Sequence, residues 1–396
     1  MAALPVAVVG AGVGGLTAAL ALAQHGHAVT LVERRTGFSE AGAGIQLSPN
    51  ASRVLAELGL GPALRRAATE PDRVVIRAQT SGRVIGEVAL GAAMRERFGA
   101  PYAVVHRADL QTIMLDAVRS RPNVRLLMGR AAVAAGQDAT SATLTVEKAG
   151  GARETLEASV IVGADGLWST VRAAIGDRRP PVYRGATVWR ATLPREAAHE
   201  ELSSNETGLW LGRARHVAHY PIAGGRLVNI VAIERRKKPV EGWSAPGDPA
   251  ELLSAFTQAA PSLRRLLEGP PTWRLWSLFD LPAHSMARGR IALLGDAAHP
   301  VLPFLAQGGA LAIEDAAVLA ATLADGSDPA AALKCYAAAR LGRARRVQTV
   351  ARRNGFAYHA AGPVAWVRDF IIRRSGPQGM AERYAWIYGW RPPGDA

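Results

Sequence analysis

Apolar and polar positions follow two different rhythms along this chain. Val6-Ala7-Val8-Val9 is an unbroken apolar run, the pattern of a strand covered on both faces in a parallel sheet. Leu16 to Ala23 is a run of helix formers stopped at His25-Gly26-His27, and Val29 to Val32 predicts a second strand closing at Glu33. Helices are expected from Ser52 to Leu58, ended by Gly59, and from Leu110 to Val118. Strands are expected at Arg125–Leu127 and around 142–147, and buried-strand runs return at Val160–Gly163 and Arg290–Leu294. The second rhythm alternates. Arg73 to Val88 reads as a hairpin about Ser81-Gly82. Residues 182–278 predict strands at Thr187–Leu193, Gly208–Gly212, His216–Pro221 and Val228–Glu234, and carry Trp189, Trp210, Trp243, Trp273 and Trp276. A long Ala-rich helix is expected from Gln307, and residues 330–390 are mostly helical with Pro and Gly breaks.

Composition narrows the class. The 396 residues suit two closely packed domains, and 49% apolar with 20% charged residues is the balance of a soluble globular protein. The formal charge of +14 comes almost wholly from arginine, since lysine stands only at Lys148, Lys237, Lys238 and Lys334. The densest basic runs, Arg235 to Lys238 and Arg340 to Arg353, lack a nucleic-acid-binding module or interleaved stacking aromatics, so no nucleic-acid partner is expected. Leu4 to Ala23 is apolar enough to resemble a membrane or signal segment, yet no Lys or Arg precedes it and its glycines follow another logic. No membrane association is expected. Cys335 is the one cysteine, read as a small buried side chain on a helix; no internal disulfide can form, which suits a cytoplasmic location. No Cys/His cluster has metal-ligand spacing and no G-x-S-x-G elbow occurs, so neither a metal site nor a serine hydrolase is expected.

Chemistry enters at Gly10-Ala11-Gly12-Val13-Gly14-Gly15, which fits G-x-G-x-x-G between strand and helix. Gly10 permits the tight turn, Gly12 lets backbone approach a pyrophosphate, and Gly15 allows helix to pack on strand. The helix start offers free N–H groups to phosphate. Glu33, at the end of the second strand, is placed to accept the ribose hydroxyls of a dinucleotide. The pattern occurs once, so a single resident dinucleotide is expected, FAD before a nicotinamide.

Two further motifs carry a resemblance. Gly163-Ala164-Asp165-Gly166-Leu167-Trp168-Ser169-Thr170-Val171-Arg172 resembles the G-A-D-G-x-x-S-x-V-R motif of flavoprotein aromatic hydroxylases, and Gly295-Asp296-Ala297-Ala298-His299-Pro300 resembles their Gly-Asp flavin motif. In order and spacing the three are similar to the para-hydroxybenzoate hydroxylase class, nearest to salicylate, 3-hydroxybenzoate and 6-hydroxynicotinate hydroxylases. The likeness runs through the chain to Trp386-Ile387-Tyr388-Gly389. It implies an α/β fold: a Rossmann-like FAD-binding domain (1–72, 101–180, 281–330) interleaved with a β-rich substrate domain (73–100, 181–280), followed by a helical C-terminal region (331–396).

The resemblance also implies roles. Asp296 would accept from a ribityl hydroxyl, although an N-cap would suit the same residue. Asp165 would serve both FAD and the nicotinamide, or simply hold a turn. Arg107, opening a helix after His106, would reach the ribityl and diphosphate; Arg34 would lie along the adenosine; Gln46 would stand beside the flavin. Val13 and Gly14 complete the first phosphate turn. Gly308, Gly309 and Ala310 open the Ala-rich helix, whose N–H groups would face the flavin pyrimidine edge; Gly309 departs from the usual Gln-Gly-Ala. On the substrate side, alternation puts His216, Ala218 and Tyr220 on one strand face and His219 on the other. His216 would act as general base, Tyr220 as relay or orienting group and Gln307 as aligner of the ring, unless His216 and Tyr220 are simply satisfied core side chains. The implied activity is hydroxylation of a small phenolic or hydroxypyridine carboxylic acid by O2 with NADH or NADPH, through a flavin hydroperoxide and with carbon dioxide leaving where the attacked carbon bears the carboxylate. A flavin reductase or dehydrogenase without oxygen transfer, or a flavin-binding protein without catalysis, are the rival readings. A monomer or homodimer is expected.

Overall fold

The structure, a computed structural model, describes residues 4–38, 44–198, 205–242, 244–326 and 328–393; Trp243 lies outside them. The run Val6–Val9 forms β1 with all four residues buried; α1 (Val13–Gln24) and β2 (Val29–Glu33) follow, β2 parallel to β1. Then come β3 (Gly44–Leu47), α2 (Pro49–Glu57), α3 (Gly61–Ala67) and the hairpin β4 (Arg73–Ala78) and β5 (Val84–Ala89). After α4 (Gly91–Phe98), β6 (Ala103–His106) pairs with β3, and α5 (Arg107–Arg119) returns the chain to β7 (Val124–Met128) beside β2. A three-stranded meander, β8 (Arg130–Gln137), β9 (Ala142–Lys148) and β10 (Arg153–Ala158), precedes β11 (Val160–Gly163). Next are the long strands β12 (Val182–Pro194), β13 (Glu206–Gly212), β14 (Arg215–Ile222) and β15 (Leu227–Arg235), and the short β16 (Ala245–Gly247). Helices α6 (Pro249–Ala255) and α7 (Pro261–Glu268) lead to β17 (Trp273–Asp280), β18 (Ala287–Arg288) and β19 (Ile291–Leu293). The chain finishes in α8 (Gly308–Leu323), α9 (Pro329–Tyr358), α10 (Gly362–Glu382) and α11 (Ala385–Tyr388).

Two sheets organise this order. In the first, β18-β19-β11-β1-β2-β7, the strands β19, β11, β1, β2 and β7 run parallel. Val9 lies opposite Gly163, and Gly163 opposite Leu293, so the carboxyl ends of β1, β11 and β19 stand side by side. The three motif-bearing loops therefore leave one edge of one sheet, where open α/β sheets place their ligands. Helix α1 is apolar on every side and buried accordingly, between this sheet and α8. The second sheet runs β16-β17-β12-β15-β14-β13-β4-β5, antiparallel except at β13/β4. On one face Trp189, Trp210 and Trp273 pack with Phe256, Leu263 and Leu267 of the α6–α7 region. Helix α10 covers β5, with Ile372 seated over Gly86.

The tail joins both bodies. Helix α9 buries Ala332, Leu333 and Tyr336 against the first sheet and α8, and Tyr336 Oη donates to Leu293 O at 2.8 Å. That phase turns Cys335 outward: it is exposed, a correction to its expected burial. Helix α2 also begins earlier than expected, because Pro49 at its first turn fixes a helical φ.

Two consecutive acids of α8, Glu314 and Asp315, are wholly buried. Arg340 Nη2 donates to Glu314 Oε2 and Arg340 Nε to Asp315 Oδ1, both at 2.7 Å, while Arg343 Nε donates to Glu314 Oε2 at 2.6 Å. Asp315 Oδ2 also accepts from Gly295 N (3.0 Å) and pairs with His299 Nε2 (2.5 Å). Burial opposes both charges, yet His299 and Arg340 hold the Asp315 carboxyl down at about 2. Removing one member of such a cluster leaves uncompensated buried charge. Arg340→Met is expected to cost about 3–5 kcal/mol in stability, measured as a lower urea midpoint; an unchanged midpoint would remove this cluster from the account.

Candidate active site

The loop after β1 is built for close approach. Gly10 has φ +102°, and a Cβ on Gly15 would stand 1.8 Å from Gly10 O, so α1 sits directly on the turn. A Cβ on Gly12 would meet nothing within 4 Å, which leaves open space before the first N–H groups of α1, at Val13 and Gly14. Glu33 is buried at the end of β2; its Oε2 accepts from Ala11 N (2.8 Å) and its Oε1 from Arg35 N (3.0 Å). The carboxylate thus braces the glycine turn and keeps lone pairs for further donors. Arg34 projects into solvent.

The other two loops meet this one. Asp165 accepts from Ser169 Oγ (2.6 Å), Thr170 N (2.7 Å) and Val171 N (3.2 Å), so in this structure it holds the turn after β11. Arg172 Nη1 donates to Leu167 O (3.0 Å) and Ala297 O (3.3 Å), tying that turn to the Gly-Asp turn after β19. Asp296 and Arg107 differ from their neighbours. Each is open to water yet surrounded by protein, so burial raises the Asp296 pKa and lowers that of Arg107, while their opposite charges counter both shifts. Among the described residues neither side chain has a hydrogen-bond partner in the chain. They form the polar floor of a recess.

Beside the recess, a cavity of about 330 Å³ lies between β4, β13 and β14, β3, the turn Pro303–Ala306 ahead of α8, and the tail helices. Its walls include Gln46, Tyr102, His216, Ala218, Phe304 and Tyr358, with Arg383, Tyr384 and Tyr388 from the tail. Gly44 N donates to Asn229 Oδ1 of β15 (2.9 Å), which sets β3 and so Gln46. Tyr102 Oη donates to Gln46 Oε1. Tyr220 is buried against Gly44 and hydrogen-bonded to Gln46 rather than lining the cavity, so it supports Gln46 from behind. His219 faces the opposite side, against Trp210, as the alternation predicts.

His216 is buried at the cavity wall, with Nδ1 2.8 Å from His359 Nε2. Burial, reinforced by His359, pushes its pKa well below the usual histidine range, so it is neutral at neutral pH. Gln307 requires a correction. It is buried and absent from the cavity wall: its Oε1 accepts from Asn50 Nδ2 (3.1 Å) and its Nε2 donates to Ser48 Oγ (2.9 Å), so both ends of the amide are engaged inside the protein. A ring in the cavity is beyond its reach. Gly308, Gly309 and Ala310 form the first turn of α8, and Gly309 is packed beneath Ile45, whose Cδ1 lies 2.9 Å from where a Cβ would be. Ala306, at φ +52°, turns the chain into that helix at the cavity wall.

Sequence reasoning missed four residues here. His359 ends α9, far from His216 in the chain, and no motif marks it. Tyr102 and Asn50 belong to networks invisible without the fold. Arg190 of β12 is buried over the Trp276 ring (4.8 Å), and burial and the like charge of Arg107 both disfavour its cation.

Comparison with known proteins resolves the class. Residues 3–351 match the FAD binding domain family. The chain is 35% identical over 390 residues to the 3-hydroxybenzoate 6-hydroxylase of Polaromonas naphthalenivorans, covering 98% of this chain and 96% of that one. The chain belongs to the FAD-dependent aromatic hydroxylases. Its identity to a Streptomyces platensis 3-amino-4-hydroxybenzoate 2-monooxygenase is 39% over 393 residues, 97% of this chain and 96% of the relative. Klebsiella pneumoniae HpxO complexed with FAD and uric acid is similar in structure, with a TM-score of 0.82, 27% identity and coverage of 97% and 96%.

The recess of this hydroxylase fits FAD. Space at Gly12 and the N–H groups of α1 suit a pyrophosphate, and Glu33 suits a ribose. Asp296 and Arg107, an acceptor and a donor group without hydrogen-bond partners in the chain, suit the ribityl hydroxyls and diphosphate. Asp296→Ala and Glu33→Ala are each expected to lower FAD content, read from the flavin-to-protein absorbance ratio after gel filtration. Wild-type retention by both would contradict this placement.

Buried imidazoles also set an acid limit. Burial, and next the nearby cation, lower His219 to about 3 (Arg77) and His359 to about 4 (Arg235), and His216 is lowered as well. In the unfolded chain these groups take protons below about 6.5. Unfolding then takes up protons, so stability present above 6.5 is lost as pH falls toward the folded values. At pH 5 the loss is about 2 kcal/mol for each of the fully buried His216 and His219. The melting temperature is expected to be several degrees lower near pH 5 than near pH 7.5. Equal values would mean that these rings are charged in the fold.

Proposed function

We propose that this hydroxylase acts on a small aromatic carboxylic acid, phenolic or hydroxypyridine, using O2 and NADH or NADPH. The observation that carries the reading is a neutral imidazole, His216, at the wall of a cavity of about 330 Å³, with room for an aromatic acid, just ahead of the N-terminus of α8. The names of its relatives, a hydroxybenzoate hydroxylase and an aminohydroxybenzoate monooxygenase, support the same substrate class. Arg383 supports an acid: it lines the cavity, and among the described residues it has no ion-pair partner.

When bound, FAD supplies the electrons taken from the nicotinamide and activates dioxygen. The chain's own residues prepare the substrate. His216 Nε2, the nitrogen not committed to His359, takes the phenol proton and makes the ring electron-rich ortho and para to oxygen. Gln46, fixed by Tyr102 and Tyr220, orients the ring in place of the role first given to Gln307. The apolar walls at Ala218, Phe304 and Leu209 exclude water.

His216→Ala is expected to reduce coupled hydroxylation roughly 10²–10⁴-fold, the usual range for a lost general base, with FAD content unchanged. Oxygen uptake would continue and appear as hydrogen peroxide, and high pH would partly restore product by ionising the phenol in solution. Product, oxygen and peroxide are followed together on hydroxybenzoates and pyridine carboxylates. Wild-type coupling in the variant would remove His216 from the mechanism; NADH oxidation without hydroxylated product across the whole panel would favour a reductase.

A further inference from the structure

We propose that His359 is a proton-relay residue, taking from His216 the proton that His216 removes from the substrate and passing it to solvent. The inference rests on the reading of His216 as base and goes one residue further.

The geometry is a two-ring wire. His216 Nδ1 and His359 Nε2 are 2.8 Å apart, from β14 and the end of α9. Backbone holds the junction: Ala214 N donates to His359 O (3.1 Å) and Arg235 N to Ala214 O (3.1 Å). Phe304 and Tyr358 flank His216 with ring centroids at 5.5 and 5.3 Å, and among the described residues His359 is the hydrogen-bond partner of that nitrogen. His216 is buried at the cavity, whereas His359 is half-buried. The pair thus spans from cavity to exterior.

Tautomers decide the direction. For His216 to be a base, its Nε2 must carry the lone pair, so Nδ1–H donates to His359 Nε2 and His359 holds its proton on Nδ1. The phenol proton then moves to His216 Nε2, the Nδ1 proton to His359 Nε2, and the His359 Nδ1 proton to water or buffer. The O–H electron pair stays on the phenolate oxygen, and the imidazole pair is neutral again.

Neither ring can store the proton. A phenol ordinarily ionises near 10, whereas burial lowers both imidazoles, His359 to about 4. The groups facing them reinforce this: Arg235 disfavours a cation on His359, Tyr358 and Phe304 are uncharged, and among the described residues neither ring forms an ion pair with an acid. A proton taken at the cavity therefore returns to the phenolate unless it is passed outward, and His359 supplies the outward route.

The test mixes FAD-loaded, oxidised protein with 3-hydroxybenzoate in weak buffer, without nicotinamide, and follows proton release with a pH indicator by stopped flow. Wild type should release a proton at a rate independent of buffer concentration. His359→Gln, which keeps a hydrogen bond to His216 but cannot relay, should bind with unchanged Kd and release at least about 10-fold more slowly. Its rate should rise with added imidazole. His359→Ala should behave alike, with stronger rescue through the vacated space. Wild-type, buffer-independent release in both His359 variants, with release blocked in His216→Ala, overturns the relay and leaves the base. Normal release in His216→Ala, or none in wild type, overturns the base assignment itself. Slow release in His359→Gln that imidazole does not restore, with lowered FAD content, would make His359 structural and also overturn the relay.

Discussion

Glu314 and Asp315 lie side by side on a helix that the fold buries completely, and much of the site is arranged to keep them charged. Each needs a cation and hydrogen-bond donors where water cannot supply them. The answers come from three places: Arg340 and Arg343 on α9, His299 and Gly295 N in the turn after β19, and Asn50 at the start of α2. Asn50 in turn holds Gln307, the N-cap of α8. One ionic knot therefore fixes the Gly-Asp turn, the helix start beside the cavity and the long helix that ends at His359. The flavin side and the substrate side are aligned by the same charges.

Outside the knot the electrostatics change character. Among the described residues Arg107 and Asp296 are left without hydrogen bonds in a recess, and Arg190, buried over a tryptophan, forms no ion pair. Such groups are costly in an empty protein and are satisfied by a bound polyanion or its hydroxyls. The cavity instead is lined by Tyr102, Tyr358, Tyr388 and His216, which burial holds neutral, a surface suited to moving a proton. The two acids of the structural cluster are engaged by donors on both oxygens, and the side chains of the recess are not.

The sequence made the first sheet legible because its central strands β1, β11 and β19 are buried throughout and each ends at a glycine-containing turn. Gly10, Gly163 and Gly295 marked three strand ends, and parallel register brought them together. The strand pair carrying His216 was legible from alternation alone. What was hidden depended on tertiary contact. Arg130–Gln137 is Ala-rich, with helical propensity, but is a strand because β9 pairs with it along its length. Gln307 looked like a substrate contact, and its position at a helix start gave no hint that Ser48 and Asn50 would consume its amide. His359 could not be found, since nothing in a solitary histidine at a helix end announces another histidine from a distant strand.

The cavity draws its wall from Gln46 near the start of the chain, from His216 in its middle, and from Tyr384 and Tyr388 near its close. During synthesis the nucleotide-type sheet can assemble once β19 has emerged, whereas the chamber stays open until α10 and α11 leave the ribosome. An unfinished polypeptide would thus own the first sheet and its three glycine turns yet lack one wall of the cavity. Order of emergence thus sets the order of assembly: the cavity wall supplied by Tyr384 and Tyr388 arrives last.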